Sequence, residues 1–342
     1  MREIYRILDA NFNRAREALR VIEDCGRFAL NDPVITAIAK NLRSDLREIL
    51  EQLPADELVA ARDTHGDIGT ELSSLTEPVR TDLRDVAIAA CKRLSEALRT
   101  VEEYSKVIAP DKTHHLERMR YDSYTLEQRV VGRLAVSRHM QEARLYVLVS
   151  SDMIAGSVRQ TVRSIIAGGA DIIQLREKHT ADKNLLAMAA EIRELTDETD
   201  RLFIVNDRPD IAAIVGADGV HLGQDDLPIA EARRLLRPGA IVGRSTHSPQ
   251  QIKTAINEGA DYIAVGPIFE TTSKDAGPAV GTELLAKALE LAEVPVVAVG
   301  GITSKNVRQV TAAGGKCVAV SSAICGAEDP KAATSGLLQA MT

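Results

Sequence analysis

The chain has 342 residues, 45% of them hydrophobic and only 3% aromatic, with 42 lysines and arginines against 49 aspartates and glutamates. A net charge of −7 argues against a general binder of nucleic acid or acidic membrane, although a local cluster of cations could still hold an anionic ligand. The length exceeds one ordinary core and points to two domains, filled by Ala, Val, Ile and Leu for want of aromatics.

Residues 1–130 carry helical spacing throughout. The opening MREIYRILDANFNRAREALR is charged along its length, so no secretory leader is expected. Ala15, Ala18, Leu19 and Ile22 fall on one helical face, and Leu94, Ala97, Leu98 and Val101 repeat the pattern. The letters repeat as well. EALRVIED at 17–24 returns as EALRTVEE at 96–103, 79 residues later, and an Arg–x–Asp echo follows each copy, LRSDL at 42–46 and MRYDS at 119–123. A duplicated helical hairpin in a pseudo-symmetric bundle is the expectation, its repeated acids and arginines on solvated faces. Between the copies, ARDTHGDIGT at 61–70 breaks the pattern and reads as an interhelix loop. Arg62, Asp63, His65 and Asp67 would be its ligands if it held a phosphate or metal.

Residues 131–143 read as a connecting helix or linker, and from 144 to 342 the grammar becomes strand–helix alternation. Eight β-branched runs occur: LYVLVS, DIIQLRE, LFIVND, GVHLGQ, AIVGRSTH, YIAVGP, VPVVAVGG and CVAVSSAI. Runs this uniformly apolar suit parallel strands covered by helices. Eight of them in about 200 residues predict an α/β fold, a (β/α)8 TIM barrel preceded by the all-α domain. No GxGxxG follows the first strand, which disfavours a doubly wound sheet. No run nears the ~18 apolar residues of a membrane span. The four cysteines lack CxxC spacing and fit a reducing compartment, so a cytoplasmic protein with no membrane or nucleic-acid partner is expected. Apolar helix faces of such a barrel could also support a homodimer.

Polar groups recur where these strands end, the active-site rim of a barrel. Strand 2 ends in QLREK, strand 3 in VNDR, strand 4 in HLGQDDLP and strand 5 in GRSTH. Strand 6 opens into GPIFETTSKDAGP, strand 7 ends in Gly300 and Gly301, and strand 8 in Ser321 and Ser322. Arg176 and Lys178 share a face by alternation. With Lys274 they can neutralise a diphosphate, while Asp207 and Asp226 offer hard oxygen ligands suited to Mg2+. Gly301, Ser321 and Ser322 occupy the usual phosphate position of such barrels.

Together QLREK, VND, GVHLGQDDLP, GPIFETTSK, VGGI and VSSAI resemble the motifs of the thiamine phosphate synthase family, in order and spacing over roughly residues 143–340. The resemblance implies a (β/α)8 transferase that joins a hydroxymethylpyrimidine diphosphate to a thiazole phosphate and releases diphosphate. It implies that Gln174, Arg176, Lys178, Asn206, Ser245 and Lys274 hold the pyrimidine diphosphate. Arg176, Lys178, Lys274 and Ser245 would act on the leaving group, and Asp207 and Asp226 would bind Mg2+. Thr271, Thr272, Ser273, Gly301, Ser321 and Ser322 would hold the thiazole phosphate; Ser273 stands where the family commonly has threonine. The helical half resembles a domain fused ahead of this synthase in some bacteria and proposed there as a kinase for the pyrimidine monophosphate. It contains no GxxxxGK[ST], and a scaffold or dimerisation domain explains its repeats equally well. Two rival readings of the whole chain remain open at this stage, a thiazole tautomerase relative and a non-catalytic phosphate-ligand sensor with a helical effector.

Overall fold

The computed structural model describes residues 1–30, 32–63, 66, 80–237, 239–271 and 277–342. Contacts divide the chain into Met1–Leu134 and Ala135–Thr342.

The first unit is built from α1 (Arg2–Asp24), α2 (Pro33–Glu51), the short α3 (Ala55–Ala60), α4 (Leu83–Ile108) and the beginning of α5 (Thr113–Glu142). Asp32 caps α2 by accepting from the Val34 and Ile35 amides, with Pro33 preset in the first turn. Asp82 caps α4 through the Asp85 amide. Both predicted faces are buried: Ala15, Ala18, Leu19 and Ile22 of α1, and Leu94, Ala97, Leu98 and Val101 of α4, lie in one core. The alanines let α1 and α4 approach closely, and the two helices pack along much of their length. The 131–143 stretch is helical as far as Glu142.

The repeated acids depart from the solvated faces expected of them. Glu23 is 1% exposed and Glu102 3%. They hold corresponding places in the two letter repeats, and each pairs with the arginine of the Arg–x–Asp echo that follows. Arg43 lies 2.9 Å from Glu23 and Arg120 lies 2.7 Å from Glu102. Helical periodicity marked these positions as polar, but a charge buried against a matched charge writes the same letters as one facing water. In the loop at 61–70, Arg62 puts two nitrogens on the Asp9 carboxylate, at 2.7 and 2.8 Å, and the Gly66 amide donates to Asp63. His65 and Asp67 lie outside the described residues.

The second unit is a closed barrel of eight parallel strands in sequential order. They are β1 (Leu145–Val149), β2 (Ile172–Leu175), β3 (Leu202–Asn206), β4 (Gly219–Leu222), β5 (Ile241–Thr246), β6 (Tyr262–Val265), β7 (Val296–Val299) and β8 (Cys317–Val320). Each of the eight apolar runs holds one strand. The connecting and closing helices are α6 (Val158–Ala167), α7 (Asp182–Asp197), α8 (Pro209–Val215), α9 (Ile229–Leu235), α10 (Pro249–Asn257), α11 (Gly281–Leu291), α12 (Val307–Ala312), α13 (Ser322–Cys325) and α14 (Pro330–Ala340).

Alternation divides every strand between two cores. Val147, Ile173, Phe203, Val205 and Val242 point outward and pack with the helices. Tyr146, Ile172, Ile204, Ile241, Tyr262, Val297 and Ala319 point inward and fill the barrel, joined by Met140 and Ala143 from the end of α5 and just after it. All four cysteines are buried and free. Among the described residues no helix is long and apolar enough to cross a membrane.

Candidate active site

At the C-terminal ends of the strands the inner core gives way to a cavity of about 310 Å³. Of the sequence-predicted residues, Gln174, Arg176, Asn206, Ser245, Thr271, Gly301, Ser321 and Ser322 line it. They arrive from β2, β3, β5 and the loops after β6, β7 and β8. Register explains the convergence. Gln174 pairs with Ile204 and Asn206 with His221, so inward-facing residues of adjacent strands stand at neighbouring heights. The buried Gln174 donates through Nε2 to Asn206 Oδ1 at 2.7 Å, which fixes both amides.

Asp207 follows Asn206 directly and has φ 59°, the left-handed region that Asp and Asn tolerate best among side-chain-bearing residues. Its amide donates to the His221 carbonyl at 2.8 Å, tying the turn to β4. Asp226 lies close enough to Asp207 to raise it, and it accepts from the Gly223 amide at 2.6 Å. Burial, and then the neighbouring Asp226, push the Asp207 carboxyl up to about 7, while Lys178 and Arg176 pull it the other way. Lys178 is thus close enough to act on the pair although it lies outside the cavity lining. Thr272, Ser273 and Lys274 lie outside the described residues.

Among the lining residues that sequence reasoning missed are Tyr146, His221, His247 and Tyr262. The first, second and fourth form a buried relay with Ser245. Tyr146 Oη and Tyr262 Oη are 2.9 Å apart, Tyr262 Oη is 2.9 Å from His221 Nδ1, and His221 Nε2 is 2.9 Å from Ser245 Oγ. Burial draws the His221 imidazole down to about 4, so it is neutral near pH 7 and has one donor and one acceptor nitrogen. If Ser245 donated inward, the proton of fully buried Tyr146 would be left without an acceptor. The favoured direction therefore runs Tyr146 to Tyr262 to His221 to Ser245. Ser245 accepts from the ring and keeps its own O–H for a ligand in the cavity. A histidine within the apolar GVHL run was the one signal in the sequence that could have flagged this relay.

Gly243 supports it. A Cβ there would stand 2.1 Å from Tyr262 Cζ, so only glycine lets the Tyr262 ring lie across β5. Gly243→Ala should cost about 1–3 kcal/mol by overpacking, seen as a lowered melting temperature. Activity should fall as well, as Tyr262 loses its place beside His221. On the opposite side, Gly300 and Gly301 have φ 98° and 65°, and a Cβ on Gly301 would meet the Glu270 carbonyl at 2.5 Å. Ser321 spends its hydroxyl proton on the Leu148 carbonyl at 2.8 Å. At this position an anion would be held by main-chain N–H groups rather than by that hydroxyl.

Residues 145–324 match the family model described as thiamine monophosphate synthase. The chain belongs to the thiamine phosphate synthase family. Residues 6–129 of this family member match a second model, the ThiD2 family. A thiamine-phosphate synthase from Synechocystis sp. is 42% identical over 335 residues, covering 98% of this chain and 95% of that protein. One from Rhodopirellula baltica is 38% identical over 332 residues, covering 94% and 88%. Among solved structures, thiamine phosphate pyrophosphorylase from Pyrococcus furiosus superposes with a TM-score of 0.55 at 38% identity. It covers 59% of this chain and 96% of that one. Family membership makes the chain an enzyme, a transferase.

Proposed function

We propose that the barrel joins a hydroxymethylpyrimidine diphosphate to a hydroxyethylthiazole phosphate, giving thiamine phosphate and diphosphate. The observation that carries this reading is the convergence of eight strand-end residues on one cavity, with the Asp207–Asp226 pair beside Asn206. In the reaction the exocyclic C–O bond of the pyrimidine breaks and its electron pair leaves with diphosphate. The lone pair of the thiazole nitrogen then forms the new C–N bond, and no proton is gained or lost. Negative charge grows on the departing oxygen. Arg176, Lys178 and Lys274 would therefore stabilise the transition state more than the bound substrate. Ser245, with its hydrogen turned toward the cavity, would donate to the same group. Gln174 and Asn206 would orient the pyrimidine. Thr271, Thr272, Ser273, Gly301, Ser321 and Ser322 would hold the thiazole phosphate.

Two neighbouring carboxylates, one of them held up by burial and by the other, offer hard oxygens that suit a divalent ion, and Asp207 and Asp226 would hold Mg2+. When bound, Mg2+ supplies positive charge to the diphosphate oxygens. The proton linkage has a definite sign. Asp207 is raised above its ordinary 3.8, so the ion-free fold is favoured at low pH and loses that contribution as pH rises through about 7. Mg2+ must displace the proton on Asp207. Its affinity should fall roughly tenfold per pH unit below about 7 and level off above it. Calorimetric titrations with Mg2+ between pH 5.5 and 8 check this, and a flat profile would remove the pair from the metal site.

Incubating the protein with both substrates and Mg2+, and resolving thiamine phosphate by chromatography, tests the main reading. A tautomerase relative or a ligand sensor would form none. For the helical unit the reading is a pyrimidine-monophosphate kinase, supported by the match of residues 6–129 to the ThiD2 family. ATP turnover by the full chain that requires the monophosphate tests it.

A further inference from the structure

The helical unit holds a cavity of about 420 Å³ between α1 and α2. Arg16, Lys40, Arg43 and Arg47 stand around an apolar floor that includes Phe12 and Leu46, and among the described residues no carboxylate lines it. Arg43 meets Glu23 at 2.9 Å and Arg47 meets Glu51 at 3.8 Å, so in a chain with a net charge of −7 the four cations around the cavity still outnumber the acids that pair with them, an arrangement an anion would relieve. The internal repeat supplies a comparison. Aligning the Arg–x–Asp echoes sets Arg43 opposite Arg120, Lys40 opposite Glu117, Ser44 opposite Tyr121 and Arg47 opposite Tyr124. Aligning the EALR segments sets Arg16 opposite Ser95.

The second copy closes this position with its own side chains. The Arg120 guanidinium lies 4.5 Å from the Tyr121 ring centre and 5.7 Å from that of Tyr124, and its side chain is 9% exposed. In the first copy no described residue covers Arg43 in this way, and its side chain is 30% exposed while still paired with Glu23. The two copies thus keep the same buried ion pair and differ in what lies above it: tyrosines and an acid in one, a cationic cavity in the other. Repeat packing alone requires only the first arrangement.

We infer that the cavity between α1 and α2 binds a compact phosphate-bearing ligand, held by Arg16, Lys40, Arg43 and Arg47. Arginine forks suit phosphate oxygens, and the floor would take an organic part. The inference stands apart from the reading of the barrel and asks for no phosphoryl transfer.

The test is calorimetry of the full chain, without divalent ions, using inorganic phosphate, inorganic diphosphate and ribose 5-phosphate as separate probes. Those arms distinguish a free anion from a phosphate ester. Two variants are compared with the parent. R16A/R47A removes two exposed cations, and S44Y/R47Y installs the tyrosines of the second copy. At least one probe should bind the parent and lose affinity by about tenfold or more in both variants. Thiamine phosphate formation should stay within about twofold of the parent. No binding to the parent, or equal binding by parent and variants, overturns the inference. The comparison is between helical-unit variants, so failure of the barrel reading would leave it intact.

Discussion

Asp207→Asn should lower the rate of thiamine phosphate formation by about a hundredfold or more, with the fold intact. Asparagine keeps the size of the side chain and tolerates φ 59° as aspartate does. The hydrogen bond that the residue-207 amide donates to the His221 carbonyl is retained. What disappears is one of two negative charges. Asp207 is pushed up to about 7 by burial and by Asp226, so removing its charge should leave the melting temperature unchanged or higher. A loss of activity without a loss of stability distinguishes a charge needed for chemistry from one needed for folding. Chelating Mg2+ in the parent should abolish turnover in parallel. Turnover within about threefold of the parent, from either the variant or the chelated enzyme, would take Asp207 out of the mechanism.

The second large effect belongs to the helical unit. Glu102→Ala should destabilise it by about 3–5 kcal/mol, because it leaves the Arg120 guanidinium buried without its counter-charge. Arg120 Nε is 2.7 Å from Glu102 Oε2, and both side chains are under 10% exposed. Glu23→Ala removes the corresponding acid from the first copy, but Arg43 is three times more exposed than Arg120 and can take up water. Its cost should be less than half as large. Urea titrations of both variants, followed by helical signal, measure the difference. Equal costs would mean that exposure of the arginine does not govern the penalty.

The barrel was legible because a strand covered on both faces must be apolar along its length. Runs such as Tyr262–Val265, closed by Gly266 and Pro267, have few other uses. The rim was legible by position, since polar residues just past a buried strand have one place to go. Arg176, just past β2, was found in that way, whereas Gln174, Asn206 and Ser245 lie within their strands and came from the family resemblance. Tyr146, Tyr262 and His221 were not. Within their strands they look like bulky core residues, and their relay depends on barrel closure, which brings Tyr146 to 2.9 Å from a residue 116 positions away. The buried Glu23 and Glu102 pairs were misread for a related reason. Spacing along one helix states which residues share a face but not what a second helix brings against it.

The stem of the loop after β6 has a bearing on how such enzymes diversify. Ile268 and Phe269 donate to the Val299 and Gly300 carbonyls at 2.9 and 3.1 Å, and Val280 donates to the Pro267 carbonyl at 2.7 Å. Both ends of the excursion are therefore stapled to the scaffold whatever lies between them. Doubling the number of intervening residues would add only about 0.6 kcal/mol of closure entropy. New recognition chemistry can be grafted between these staples while the frame beneath keeps its shape.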